Sequence, residues 1–208
     1  MLIEHAGRRP RIHPTASVAP TAVVSGDVEI GAGSRVLHGA VVTADGAPVR
    51  IGERCVIMEQ AVVRGAGGRR RSFPVRLGDL TLVGPHAYVV GADVGRFCFI
   101  ATSAMVFNGS RLADACTVTL GAMVHLNTTL EEGQRVPIQH VAIGTPATIF
   151  DPSRGEEMMA ALARENFMAS VFGVETAGRS RADVMAEAIG RYSSALAAHD
   201  GDVVLDGT

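Results

Sequence analysis

The sequence predicts a mainly β fold, a stack of about seven three-sided coils followed by α-helices. Three observations predict it. An apolar residue followed by glycine or alanine recurs, at Ile30-Gly31, Ile51-Gly52, Leu77-Gly78, Val94-Gly95 and Leu112-Ala113. Fixed offsets from these starts carry β-branched residues and alanines in columns. Aromatic residues make up only 4 % of the chain, tryptophan is absent and glycine occurs 24 times, which suits strands and turns better than a helix bundle.

Taking Ile12, Ile30, Ile51, Leu77, Val94, Leu112 and Leu130 as coil starts gives steps of 18, 21, 26, 17, 18 and 18 residues. The two long steps place their excess in loops, at Asp45-Gly46-Ala47-Pro48 and in an arginine-rich insertion over residues 65–76. Six residues past the starts lie Val18, Val36, Ile57, Val83, Ile100, Val118 and Val136. Twelve past lie Val24, Val42, Val63, Val89, Val106 and Val124. Ten past lie Ala22, Ala40, Ala61, Ala87, Ala104 and Ala122. His140 falls in the same column of the last coil, and a register shift after Pro137 is expected to leave it in the closing turn. Each coil therefore has three short faces, and like residues stack about 4.8 Å apart to build a core that no coil could bury alone.

The pattern stops after Ile149, which divides the chain into a coil domain over residues 1–150 and a helical extension over 151–208. Asp151-Pro152-Ser153 reads as a turn and helix cap, with Glu156 and Glu157 in the first turn. Met158, Met159, Leu162 and Phe167 predict one amphipathic helix. A Gly/Thr/Ser-rich break follows at residues 173–180. Residues 182–198 predict a second helix, with Val184, Ala188, Tyr192 and Leu196 on one stripe. The polar tail from His199 is expected to fray.

Composition excludes several functions. The 19 basic residues are all arginine, so Schiff-base lysine chemistry and a P-loop are ruled out. A net charge of −2 gives no sequence-wide basic field for nucleic acid. No apolar run reaches about 18 residues, so no membrane span is expected. The N-terminal segment has no apolar core before a small-residue cleavage site, so a cytoplasmic protein is expected. Cys55, Cys98 and Cys116 share one offset with Ser34 and Thr81, which reads as a column of small buried side chains.

Residues 39–45 (GAVVTAD) and 49–54 (VRIGER) resemble the γ-class carbonic anhydrases, whose relatives read G-A-V-L-R-G-D and then I-R-I-G-x-R-T-N-I-Q-D. Residues 83–91 (VGPHAYVVG) are similar to the family's I-G-H-x-A-x-L-H-G. Residues 141–147 (VAIGTPA) resemble the closing turn shared by this family and the hexapeptide-repeat acyltransferases. The resemblance covers roughly residues 10–150 and implies a left-handed parallel β-helix. It also implies a homotrimer with a zinc ion between subunits, held by three histidines that leave room for water. Carried over position by position, those ligands fall on Arg64, Pro85 and Val90, none of which holds zinc. The family's metal site is therefore expected to be absent, and no cofactor is expected with it.

Three functional readings follow. In the first, Arg64 takes over the metal's positive charge and holds a small carboxylate or acyl substrate at a subunit interface, with Glu59 as acid or base. Thr43, Asp45, Tyr88 and Phe107 would line that pocket. Lyase, hydratase or hydrolase chemistry would suit it. In the second, His125 or His86 is the base of a CoA-dependent acyltransferase. The third is a non-catalytic trimeric scaffold. His86 also reads as an interface residue, and Arg69, Arg70 and Arg71 as a solvated loop or an anion clamp.

Overall fold

Strands of two or three residues cannot bury a core alone; they need copies above and below. The computed structural model, which describes residues 1–67 and 71–205, shows how this chain supplies them. It winds into a parallel β-solenoid with three faces.

The first face runs through Leu2–Glu4, Val23–Ser25, Val41–Asp45, Val62–Gly67, Tyr88–Val90, Met105–Val106, Met123–Val124 and Val141–Ile143, all parallel. Seven strands form each of the other two faces among the described residues. The predicted starts pair in register down the second face: Ile12 with Ile30, then Ile51, Leu77, Val94, Leu112 and Leu130. The column six residues on pairs likewise, from Val18 to Val136. All six predicted alanines are at most 1 % exposed. They fit where a larger side chain would meet its own copy one coil away.

Stacking also explains the apolar-glycine repeat. A Cβ on Gly31 would lie 2.5 Å from the carbonyl oxygen of Gly52, and one on Gly78 would lie 2.6 Å from the amide nitrogen of Arg96. The next coil passes too close for any side chain. Two residues further on, the corner takes a left-handed backbone, as at Arg54, Leu80, Phe97 and Ala115 with φ between 52° and 60°. His86 occupies such a position at a second corner, with φ 57°.

The Ser34 column does more than stay small. Ser34 Oγ donates to the Gly52 carbonyl at 2.8 Å, and Thr81 Oγ1 to the Gly95 carbonyl at 2.9 Å. The thiols of Cys55, Cys98 and Cys116 donate to the carbonyls of Gly78, Ala113 and Glu131 at 3.2, 3.3 and 3.0 Å. Each therefore satisfies a buried carbonyl at the corner of the next coil. All three cysteines are unpaired, and burial pushes the Cys55 thiol up.

Four details differ from the sequence reading. The register does not shift after Pro137, because Val136, Val141 and Ala142 continue their columns. His140 takes the alanine position of the last coil, which no further coil crowds, and its Nε2 lies 3.2 Å from Asp151. Ser153 does not cap the first helix: its amide and hydroxyl both donate to Asp151 Oδ1, and the helix, α1 (Gly155–Arg164), starts two residues later. The second helix, α2 (Arg181–Leu196), is capped by Ser180 Oγ, which accepts from the Asp183 amide at 3.1 Å. The tail does not fray: Val203–Leu205 pairs antiparallel with Leu2–Glu4 and extends the first face. The insertion forms a short antiparallel pairing of Gly67 and Ala66 with Ser72 and Phe73, while Arg69 and Arg70 lie outside the described residues. No helix among the described residues is long and apolar enough to cross a membrane.

The donor column makes a sharp expectation. Ser34→Ala strips the buried Gly52 carbonyl and the Cys55 amide of their partner, and an unsatisfied buried group costs about 1–3 kcal/mol. Ser34→Cys keeps the donor and recovers most of that loss. Urea unfolding of the two variants beside the parent chain measures the difference; equal losses would show that shape alone governs the column.

Candidate functional site

Alternation along the first face decides which side chains look outward. Thr43 and Asp45 project from one strand and Arg64 from the next, with Arg64 in register between Thr43 and Val90. From Asp45 the chain turns through Gly46, so its carboxylate sits at the strand end beside Arg64. Arg64 NH2 lies 2.8 Å from Asp45 Oδ2.

The helical extension runs back over this face. Its small core is Val184 and Ala188 of α2 on Val174, with Met168 and Phe172 beside them. The same helical stripe brings Tyr192 over Arg64: the guanidinium donates to the Tyr192 hydroxyl at 2.9 Å and lies 5.8 Å from the ring centre. Arg71 secures the approach, donating to the Ser170 carbonyl at 3.0 Å. Between helix and solenoid opens a cleft of about 1300 Å³. Arg64, Tyr88, Phe107, Phe172 and Tyr192 form its centre.

Burial works against charge on Arg64, but the Tyr192 hydrogen bond and the Asp45 carboxylate outweigh it and hold its pKa above the ordinary value. Its Nε is buried and has no hydrogen-bond partner among the described residues. A partly buried guanidinium whose Nε has no protein partner is suited to an anionic ligand.

At the N-terminal end of the cleft the two chain ends meet. His5 and His199 stack with ring centres 4.3 Å apart. His199 Nε2 lies 2.8 Å from Asp45 Oδ1. Asp202 lies 2.6 Å from His5 Nδ1 and 2.8 Å from His199 Nδ1. The hydrogen bond to Asp202, with Asp45 close by, raises the His199 pKa above the usual imidazole range. Burial alone would raise Asp202, but the His199 and His5 rings hold it below the usual carboxylate range.

The candidates from sequence fall into four groups. Arg64, Asp45, Tyr88 and Phe107 share the cleft. Thr43 adjoins Arg64 on the ladder without lining it. Glu59 and His86 stand exposed at a corner, linked by the His86 amide to the Glu59 carbonyl, and neither lines the cleft of this chain. His125 lies two coils past Val90 on the same column, 9 % exposed, with Phe107 6.2 Å away and its Nδ1 unpartnered among the described residues. Sequence reasoning missed His5, His199 and Asp202. They sit outside the repeat, and only strand pairing of the tail brings them together.

Comparison with known proteins follows the same lines. No family model matches the chain. It is 31 % identical over 153 residues to gamma carbonic anhydrase 1, mitochondrial, of Arabidopsis thaliana, covering 73 % of this chain and 54 % of that protein. It is 32 % identical over 142 residues to the carboxysome assembly protein CcmM of Synechococcus elongatus, covering 64 % of this chain and 26 % of that one. The chain belongs to the superfamily of γ-carbonic-anhydrase-like, hexapeptide-repeat proteins. It spans about half the length of the plant relatives it matches. Among solved structures, a hexapeptide transferase family protein from Anaplasma phagocytophilum aligns over 96 % of this chain and 97 % of that one, with TM-score 0.36 and 17 % identity.

The positions that the resemblance assigns to the three zinc histidines hold Arg64, Pro85 and Val90, and none of these side chains is a zinc ligand; Arg64 and Val90 pair side by side on the ladder. A guanidinium at that place repels a cation.

His125 gives a testable pH dependence. Burial lowers its pKa, with Glu165 opposing, so the folded protein keeps the ring neutral while the unfolded chain protonates it first. The unfolded state thus binds more protons between the folded and unfolded pKa, and this contribution to stability falls as pH drops through that window, starting near pH 6.5. His125→Phe should flatten the fall in unfolding midpoint between pH 7 and pH 5. A parallel fall in both proteins would remove His125 as the cause.

Proposed function

We propose that this chain is a γ-carbonic-anhydrase-like protein that binds a small carboxylate or acyl anion on Arg64, in the cleft between the solenoid and α2. The observation that carries this reading is the Arg64 guanidinium itself. It stands at the superfamily's metal-ligand position, is largely buried, and has an Nε without a protein partner. Tyr88, Phe107, Phe172 and Tyr192 supply an apolar surround that strengthens a charge-assisted hydrogen bond.

Proton transfer in such a cleft falls to the Asp45–His199–Asp202 chain rather than to Glu59. Glu59 would reach a cleft only from a second copy of the protein. Self-association into a homotrimer belongs to the same reading. An apolar groove at Phe99, Leu120, Pro137 and Ile138, with Phe99, Leu120 and Ile138 each at least 44 % exposed, offers a surface for it. A substrate held at Arg64 suits lyase, hydratase or hydrolase chemistry, without the superfamily's zinc.

The acyltransferase reading rests on His125, a neutral base with a free nitrogen. It is the weaker one. His125 does not line the cleft, and the residues after the closing turn, Thr148 and Phe150, form an antiparallel strand with Val141–Ile143 instead of presenting cations to CoA phosphates. The scaffold reading treats the Arg64–Asp45–Tyr192 cluster as a clasp for α2.

Binding of small carboxylates, from formate and bicarbonate to three- and four-carbon acids, separates these readings by calorimetry. One class should bind, and Arg64→Gln should weaken it about 10- to 100-fold, the range for a lost charge-assisted hydrogen bond of about 1.5–3 kcal/mol. Arg64→Lys should recover part of that. Absence of binding at millimolar concentration, or binding unchanged in Arg64→Gln, sinks the proposal and leaves the clasp.

A further inference from the structure

The second cluster of the cleft, at its N-terminal end, has its own chemistry. His5, Asp45 and His199 each offer one ligand atom, and these atoms all lie within 4.8 Å of one another. All three side chains line the cleft. None occupies a position that the superfamily resemblance assigns to a metal ligand.

The groups behind them are arranged as a metal site requires. Asp202 takes the Nδ1 side of both rings, at 2.6 Å from His5 and 2.8 Å from His199. That fixes the tautomer in which Nε2 is left for coordination, the carboxylate–histidine–metal arrangement. Asp45 is likewise held from behind: Arg64 binds its Oδ2 while its Oδ1 faces His199 Nε2 at 2.8 Å. Two lone-pair atoms at that distance need a positive species between them. In the absence of an ion, that species is a proton. Bonds of about 2.0–2.1 Å at a tetrahedral angle place ligand atoms about 3.3 Å apart. Binding would therefore open the 2.8 Å contact between His199 and Asp45 slightly and draw in the spacings that reach up to 4.8 Å.

We propose that His5, His199 and Asp45 form a two-histidine, one-carboxylate site for a divalent transition ion, zinc or iron in type, with its remaining positions open to the cleft. The donor set is nitrogen and oxygen without sulfur, which favours such ions over copper(I) and over magnesium. The site links the two ends of the chain, since His5 precedes the first coil and His199 lies in the returning tail. The anion contact at Arg64 needs no metal, but the two readings share Asp45 and His199, which serve as ligands rather than as a proton path when an ion is bound.

The test uses the full chain stripped with chelator and then titrated with Zn(II) and, separately, Co(II). One ion per chain is expected, with a raised unfolding midpoint and a Co(II) visible spectrum of nitrogen and oxygen ligation. His5→Ala and His199→Ala should each lower affinity at least about 100-fold, and Asp202→Asn about 10- to 100-fold, the usual cost of losing a partner behind a ligand. His140→Ala, which removes another histidine–aspartate pair, should leave binding unchanged. Far-UV circular dichroism confirms that each variant is folded. The parent chain binding no ion at 100 µM overturns the site whatever the variants do. So does binding that survives in the His5→Ala/His199→Ala double variant, or one ion per three chains. Loss of carboxylate binding in Arg64→Gln with one ion per chain still bound, more weakly because Asp45 loses the guanidinium behind it, would separate this site from the anion pocket.

Discussion

Coil-on-coil registration is the constraint on which the rest of this molecule depends. Each inward residue sits over its counterpart one strand spacing away, so the volume available at a position is set by the position itself. That is why one column holds alanine in six successive coils, why valine and isoleucine fill two others, and why glycine stands where the next backbone passes within 2.5–2.6 Å of a Cβ. It also explains the Ser34 column. Serine, threonine and cysteine differ in polarity, yet each is small and each donates to a carbonyl of the next coil. The column selects for a donor of that size.

The outward side of the same strands is released from this rule, and function can use it. Arg64, Val90, Phe107 and His125 follow one another on a single outward column, where four unrelated chemistries are tolerated. A solenoid can therefore keep its fold while its surface chemistry changes. Arginine, proline and valine at the positions that the resemblance assigns to zinc ligands disturb nothing inside. The inward alternates beside Arg64, Val63 and Val89, remain fully buried.

This division also explains what could be read from the sequence. Coil starts, loop positions and the buried columns follow from spacing, because registration repeats one physical demand down the chain. Arg64 and Asp45 were visible because they fall at fixed offsets in a resembled motif. Glu59 falls at such an offset too, but lies at an exposed corner outside this chain's cleft. His140 was misread because the alanine rule was extended to a coil with nothing stacked beyond it. His5, His199 and Asp202 were invisible for a different reason. Their meeting depends on where α2 ends and on Val203–Leu205 pairing with Leu2–Glu4, a contact between opposite ends of the sequence that no periodicity encodes.

The returning tail raises an energetic question of its own. Joining His5 to His199 closes nearly the whole chain into a loop, and loop closure carries an entropy cost that grows with length. Most of that cost is met by the solenoid, which already fixes residue 5 and the start of the extension. The rest falls on the extension itself, and its apolar packing is thin. Nothing in α1 is buried, and α2 buries only Val184 and Ala188. Hydrophobic burial of that size stabilises by only a few kcal/mol, at about 25 cal/mol per Å². The position of α2 over the cleft must then depend on its polar ends: Tyr192 on Arg64, and His199 with Asp202 against Asp45 and His5. These contacts are made by the same residues that face the ligand space. An anion or metal ion bound there would therefore act directly on the contacts that place α2 over the cleft, so that binding and the seating of α2 would be coupled.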